Sequence, residues 1–152
     1  MTLDIRRADF ADPALSDFLQ AHLDDLEPTA PAESRHALDL SALQRDGVRL
    51  WVAVDGGIVG TAALAEIQPG NEELKSMRTD PVRRGQGIAR RLLQYVLADA
   101  RARGVQQIWL ETGSMDFFAA ARALYASEGF VECVPFGSYV EDPNSTFMTL
   151  RL

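Results

Sequence analysis

Residues 80–89 of this sequence are Asp80-Pro81-Val82-Arg83-Arg84-Gly85-Gln86-Gly87-Ile88-Ala89. This segment stands between a strand-like stretch, Glu73–Thr79, and an amphipathic helical stretch, Gly87–Arg103, which Gly104 ends. Glycines let the backbone turn tightly and approach a ligand without a Cβ in the way. The first turn of a helix presents unpaired N–H groups and the positive end of the helix dipole. The segment therefore predicts a binding site for an anion.

Two common phosphate-binding motifs are absent from the sequence. The dinucleotide fingerprint requires a third glycine, which Gly85-Gln86-Gly87-Ile88-Ala89-Arg90 lacks. The Walker pattern Gly-x-x-x-x-Gly-Lys-Ser/Thr occurs nowhere in the chain. These absences argue against a regulator that binds ATP or a dinucleotide.

The charge of the chain is distributed unevenly around this segment. The formal net charge is −7, which argues against nucleic acid as a partner. Eight basic and two acidic residues lie between Lys75 and Arg103, a local net charge of +6. This basic stretch supports a local phosphate site, although a solvated helix face would also explain it.

The remaining segments follow the order of an α/β chain built around one central sheet. Alternation and turn residues predict strands at Leu3–Ala8, Arg49–Val54, Ile58–Ile67, Glu73–Thr79, Gln107–Glu111, Phe130–Val134 and Thr146–Leu152. Helical spacing predicts helices at Pro13–Leu26, Ser34–Arg45, Gly87–Arg103 and Asp116–Ser127.

Length and composition suit one soluble domain over residues 1–152. The early charges and the lack of any apolar run of about 20 residues predict neither a signal peptide nor a membrane partner. Cys133 is the only cysteine, which excludes an intramolecular disulfide and a zinc cluster. We therefore expect a cytoplasmic protein without a metal.

Three motifs in order resemble the GNAT superfamily of N-acetyltransferases. Arg84–Ala89 matches the family's coenzyme A loop, Gln/Arg-x-x-Gly-x-Gly/Ala. Glu73–Pro81 looks like the family's fourth strand, and Ala123–Phe130 is similar to its Ala-Leu-Tyr-x-x-x-Gly-Phe signature. The resemblance covers Leu50–Leu152. It implies a single mixed central sheet of about six to seven strands flanked by about four helices.

Further segments are similar to a bacterial subgroup, the YsnE-like acetyltransferases. The segments are Glu73–Met77, Leu110–Gly113, Pro135–Tyr139 and Asp142–Ser145.

The resemblance also implies an activity and a binding site. The activity is transfer of an acetyl group from acetyl-coenzyme A to an amine, by direct attack within a ternary complex. The residues implied in binding coenzyme A are Met77, Arg78, Thr79, Arg84, Gly85, Gln86, Gly87, Ile88, Ala89 and Arg90. Met77 and Thr79 would act through main-chain groups, and either Arg90 or Arg91 would reach a second phosphate.

Two catalytic residues follow from the resemblance. Tyr125 stands at the position of the family's general acid, which protonates the departing thiolate. Glu73 aligns with a fourth-strand glutamate that several members use as general base. Glu66, Glu72 and Glu111 are alternative candidates for the general base. Any of them could instead be an ordinary surface carboxylate.

The sequence departs from the family at Phe118, where many members carry an asparagine that contacts the pantetheine arm. The two histidines, His22 and His36, are predicted to be ordinary surface residues. Cys133 is predicted to be a small buried side chain.

The amine acceptor and the oligomeric state are not encoded in any recognisable motif. A homodimer is one option, because dimers are common in the superfamily. The alternative function is a non-catalytic sensor that binds acyl-coenzyme A and transfers nothing.

Overall fold

The computed structural model describes residues 2–34 and 38–152. The strands are β1 (Asp4–Arg7), β2 (Val48–Val54), β3 (Ile58–Gln68), β4 (Asn71–Thr79), β5 (Gln107–Gly113), β6 (Val131–Glu132) and β7 (Ser145–Arg151). The α-helices are α1 (Pro13–Leu26), α2 (Leu40–Leu43), α3 (Ile88–Ala102) and α4 (Ala119–Ser127). Short 3-10 turns precede the loop to α3 (Pro81–Arg83) and α4 (Asp116–Phe118).

The strands form one seven-stranded mixed sheet in the order β1-β2-β3-β4-β5-β7-β6. β1 to β4 are antiparallel neighbours, and β5 lies parallel to β4. The chain therefore crosses from β4 to β5 through α3, and β7 inserts between β5 and β6. This arrangement confirms the predicted fold class.

The two long helices begin and end where local chemistry requires. Asp12 caps α1 by accepting a hydrogen bond from the Ala14 N–H, and Pro13 occupies the first helical position. α3 turns one apolar stripe to the sheet and ends before Gly104, whose φ is +85°.

Helices cover both faces of the sheet. The α3–α4 face carries the larger core, formed around Leu64, Leu74, Leu92, Leu93, Val96, Ile108, Tyr125 and Phe130. The α1–α2 face carries a second core of Leu15, Leu19, Leu43, Leu50, Val52 and Ala63. Burial on both faces fixes the central strands firmly.

Gly60 on β3 lets α3 approach the sheet closely. A Cβ at this position would lie 2.7 Å from Leu92 Cδ1 and 3.1 Å from the Arg78 carbonyl oxygen. The first turns of α3 therefore rest directly on β3, next to the end of β4.

Two predicted elements are shorter than expected. The predicted helix Ser34–Arg45 is wrong in the part that the structure describes: only Leu40–Leu43 is α-helical, and Ser34 ends a separate 3-10 turn, Ala32–Ser34. Asp39 is extended and caps that short helix through the Ala42 N–H, which ends helical continuity on its N-terminal side. The strand predicted at Phe130–Val134 is reduced to β6, which pairs with β7 at the sheet edge.

Candidate functional site

The central sheet opens between β4 and β5. These parallel strands pair only from Asn71↔Gln107 to Leu74↔Leu110. β4 then continues to Thr79 and β5 to Gly113 without pairing to each other. Main-chain groups on this edge of β4 are consequently available to a ligand.

A β-bulge shapes the unpaired part of β4. Two residues, Ser76 and Met77, stand where β3 offers one between its pairs Ala63↔Lys75 and Thr61↔Arg78. The Thr61 hydroxyl donates a 2.8 Å hydrogen bond to the Ser76 carbonyl, and Ser76 has a φ of +54°. The bulge is thus held in place by β3 and redirects the strand beside the opening.

The loop before α3 leaves its backbone accessible. Gly85 and Gly87 have φ of +78° and +80°, and a Cβ at either position would meet nothing within 4 Å. Gly87 is the N-cap of α3 without any side-chain hydrogen bond to the first turn. The first-turn N–H groups of Ile88–Arg90 are therefore free to bind an anion.

The arginines around this loop differ in whether their side chains already bind a partner within the protein. Arg83, which the sequence did not single out, donates to Asp55 at 2.6 Å and to Gln86 at 2.9 Å. Arg90 forms an ion pair with Glu128. Arg84 is exposed and forms no ion pair with any residue in the described ranges. Of the three, Arg84 is the freest to bind phosphate.

Two adjoining cavities occupy the opening. The larger, about 460 Å³, extends from the loop before α3 along the end of β4 to α4. The smaller, about 140 Å³, lies between β4 and β5. Residues that line both are His22, Leu26, Met77, Phe118, Ala121 and Tyr125. Nine of the ten residues predicted to bind coenzyme A line the larger cavity, and Gln86 is the exception.

Tyr125 lies where the two cavities meet. Its side chain is 6% exposed and packs against Phe130, with ring centroids 5.8 Å apart. Burial raises the pKa of the Tyr125 hydroxyl, and the negative charge of Glu111 raises it further. The hydroxyl is consequently protonated at neutral pH and able to donate.

The candidate carboxylates occupy different places. Glu111 lines the smaller cavity and accepts a 2.7 Å hydrogen bond from Ser145. Glu73 lines a neighbouring groove, where it accepts hydrogen bonds from Tyr139 at 2.5 Å and Lys75 at 3.2 Å. Glu66 lines that same groove, and Glu72 forms a two-point ion pair with Arg103. Only Glu111 of the four lies along the cavities that contain Tyr125.

Phe118 lines both cavities in place of the family's asparagine. Its ring lies on Gly113 at the end of β5: a Cβ on Gly113 would come within 2.1 Å of Phe118 Cδ2. The ring forms an apolar wall where the asparagine would have offered a polar contact.

His22 is not the surface residue predicted from the sequence. It is partly buried and lines both cavities, because α1 packs against the open end of β4. Burial lowers its pKa to about 4, and the nearby Arg78 charge contributes. Helical periodicity alone gave no signal for this contact, since it depends on tertiary packing. His36 lies outside the described residues.

Arg78 links α1 to β4 beside His22. Its guanidinium donates to Asp25 at 2.6 Å and lies 5.4 Å from the centroid of the Phe18 ring. It lines the larger cavity with Asp25.

Cys133 is partly buried rather than fully buried, and burial raises the pKa of its thiol. No group of three or more potential metal ligands occurs among residues 2–34 and 38–152. Within the same ranges, no helix has the length and hydropathy needed to span a bilayer.

The chain is similar to known proteins of one family over most of its length. The family model described as Acetyltransferase (GNAT) domain matches residues 46–132. YsnE of Bacillus subtilis, named an uncharacterized N-acetyltransferase, is 43% identical over 132 residues, which cover 86% of this chain and 87% of that protein.

Solved structures agree with that match. A Klebsiella pneumoniae protein provisionally named an acyl-CoA N-acyltransferase superposes with a TM-score of 0.82 at 31% identity, covering 99% of this chain and 98% of its own. YncA of Salmonella typhimurium, provisionally named an acetyltransferase and solved with its cofactor acetyl-CoA, gives a TM-score of 0.73 at 24% identity, covering 99% and 94%. At that identity the second likeness shows the fold alone.

Proposed function

This chain belongs to the GNAT family of acetyltransferases, and we propose that it transfers an acetyl group from acetyl-coenzyme A to a primary amine of a small molecule or peptide. The observation that carries the proposal is the continuity of the opening between β4 and β5. Its larger cavity connects the anion-binding start of α3 with Tyr125, and its smaller cavity continues to Glu111. A donor and an acceptor can therefore meet at Tyr125 in one ternary complex.

The residues present fit acetyl-coenzyme A. The open Cβ positions of Gly85 and Gly87 allow a pyrophosphate to reach the main-chain N–H groups at the start of α3. The unpaired edge of β4 offers N–H and C=O groups to the amides of an extended pantetheine arm. The Met77 amide at the bulge would polarise the thioester carbonyl, which requires a donor but no particular side chain.

Tyr125 is the general acid in this proposal. When the amine nitrogen attacks the thioester carbonyl carbon, the C–S bond breaks and the sulfur takes the proton of the Tyr125 hydroxyl. Burial and the charge of Glu111 raise the pKa of that hydroxyl, so the proton is present throughout the physiological pH range.

Glu111 is the general base that the geometry favours. It lines the smaller cavity beside Tyr125, where an attacking amine would release its proton directly or through water. Glu73, the base suggested by the resemblance, already accepts hydrogen bonds from Tyr139 and Lys75 in the neighbouring groove. In this proposal Glu73 takes no proton from the amine and instead orients Lys75. Lys75 lines both the smaller cavity and the neighbouring groove.

Conservative substitutions test these roles. We expect Tyr125→Phe to lower kcat by about 10²–10⁴-fold while the Kd for acetyl-coenzyme A stays unchanged, because only the proton donor is removed. The measurement is release of free coenzyme A thiol with a panel of small primary amines, beside calorimetric titration of acetyl-coenzyme A. Tight binding by the wild type without turnover of any amine would instead support the acyl-coenzyme A sensor.

A matched pair distinguishes the two carboxylates. Glu111→Gln should lower kcat by about 10²-fold or more, because the proton acceptor is removed. Glu73→Gln should lower kcat far less. The opposite pattern would assign the base to Glu73.

A further inference from the structure

Two side-chain polar atoms within the described ranges are buried without any hydrogen-bond partner: Ser76 Oγ and Arg78 Nε. Both belong to the bulged end of β4 and flank Met77. A buried polar atom left unsatisfied costs about 1–3 kcal/mol, so native proteins rarely keep one without a reason. Their joint location indicates that ligand groups complete the hydrogen bonds of this strand.

The two atoms belong to different cavities. Arg78 lines the larger cavity, which extends to the loop before α3. Ser76 lines only the smaller one, with Glu111, Thr112 and Asn144. In the proposed function the larger cavity holds acetyl-coenzyme A, the acetyl donor, and the smaller cavity holds the amine, the acetyl acceptor. The hydrogen-bond partner of Arg78 then belongs to the donor, and that of Ser76 belongs to the acceptor.

Ser76 is an unusual residue in its own backbone conformation. Its φ of +54° is uncommon for any residue other than glycine, asparagine or aspartate. The side chain is only 9% exposed, and Thr61 holds the carbonyl of the same residue. A glycine would satisfy the conformation with less strain, which makes the retained hydroxyl the feature to be explained.

The charges of the smaller cavity limit its occupant. Its carboxylate is Glu111, and its lysine, Lys75, is already paired with Glu73 and bonded to Tyr139. A carboxylate or phosphate headgroup would find no free cation there among the described lining residues. A compact amine can donate N–H groups to hydroxyl and carboxylate oxygens.

We propose that Ser76 is the acceptor-positioning residue: its Oγ accepts a hydrogen bond from the primary amine that attacks the thioester, and so selects a compact amine headgroup for the smaller cavity. This inference rests on the proposed function. The hydroxyl acts before the chemical step by holding the nitrogen between Glu111 and the donor, and it takes no proton itself. Its loss should therefore weaken acceptor binding and leave donor binding intact.

Two substitutions separate this role from a structural one. Ser76→Ala removes the hydroxyl and keeps the strained backbone, whereas Ser76→Gly removes the hydroxyl and relieves the strain. Ser16→Ala, at an exposed position on α1, is the matched control for the loss of a serine hydroxyl. The readouts are KM and kcat for the best amine of a small primary-amine panel, the calorimetric Kd for acetyl-coenzyme A, and Tm.

We expect both Ser76 variants to raise KM for the amine about tenfold or more, with the Kd for acetyl-coenzyme A unchanged and Ser76→Gly at least as stable as the wild type. An unchanged KM in Ser76→Gly would overturn the inference while the proposed function stands. An equal rise in the Kd for acetyl-coenzyme A would place the hydroxyl on the donor side and overturn it as well. Failure of the wild type to acetylate any amine would defeat the proposed function and this inference with it.

Discussion

Protonation at the site is set residue by residue through burial. His22 and Tyr125 line the same cavities, and burial favours the neutral form of each. Burial keeps the Tyr125 hydroxyl protonated, so that its proton can be donated. Burial also keeps His22 uncharged, so that no second positive charge stands beside Arg78. The meeting point of the two cavities therefore carries neutral donors at physiological pH.

The pKa of His22 predicts a pH-dependent stability. Its pKa is about 4 in the folded chain against 6.5 when unfolded, so the unfolded chain binds the extra proton first as pH falls. The free energy of unfolding that depends on neutral His22 is fully present above pH 6.5 and is lost as pH falls toward 4. The loss amounts to at most about 3–4 kcal/mol.

Urea unfolding of the wild type and His22→Gln at pH 7 and pH 4.5 measures this pH-dependent loss of stability. The wild type should lose more stability than the variant between the two values, because carboxylate titration is common to both proteins. Equal losses would show that His22 keeps its ordinary pKa.

Cavity-lining residues that belong to a continuous motif were easier to predict from the sequence than those brought in by tertiary packing. Tyr125 and the loop from Arg84 to Ala89, apart from Gln86, line the cavities, and their roles in binding and catalysis stay predictions. His22 and Arg83 were not predicted, because their place at the cavities depends on how α1 and the hairpin after β2 pack against β4.

The element that joins loop and sheet is α3, which is held at both ends. Its N-terminus rests on Gly60, and beyond its C-terminus Arg103 forms two hydrogen bonds of 2.8 Å to Glu72 and one of 2.7 Å to Asp99. Glu72 belongs to the start of β4, so the ion pair locks the far end of α3 to the strand that forms the site. The pKa of Arg103 is raised above its usual value, chiefly by its hydrogen bonds to Glu72.

Removal of this ion pair should affect stability more than binding. We expect Glu72→Ala to lower the free energy of unfolding by about 2 kcal/mol, less than the 3–5 typical of fully buried pairs because Arg103 keeps Asp99. The matched control is Asp4→Ala, which breaks the exposed Arg6–Asp4 pair and should cost under about 1 kcal/mol. Urea unfolding measures both, and equal losses would contradict the structural role of Glu72.

Element boundaries were predictable where periodicity and caps agreed. Pro13–Leu26 is found as predicted, with Asp12 as its cap. Of the helix expected at Ser34–Arg45, the described residues form an α-helix only at Leu40–Leu43, because Asp39 is extended and caps the backbone N–H groups there. The bulge at Ser76 leaves no sequence signal of its own, since serine is not the residue expected at a positive φ.

Across the whole molecule, one sheet provides both a rigid body and an opening. Cores on both faces hold the strands together, while β4 and β5 separate after Leu74 and Leu110. The loop before α3 and the cavities at Tyr125 lie along the same opening. Motifs that are distant in sequence therefore line one continuous opening.

The most direct test of this account is calorimetric titration of acetyl-coenzyme A into the wild type, Gly87→Glu and Gly104→Glu. The two glycines have φ of +80° and +85°, and a Cβ on either would meet nothing within 4 Å. The substitutions are thus matched in strain and charge, but they stand at opposite ends of α3.

The wild type and Gly104→Glu should bind with micromolar Kd, and Gly87→Glu should not bind, because its carboxylate would occupy and repel the pyrophosphate at the start of α3. If the folded wild type does not bind acetyl-coenzyme A, or if Gly104→Glu loses binding as completely as Gly87→Glu, the loop is not the cofactor site and the account fails.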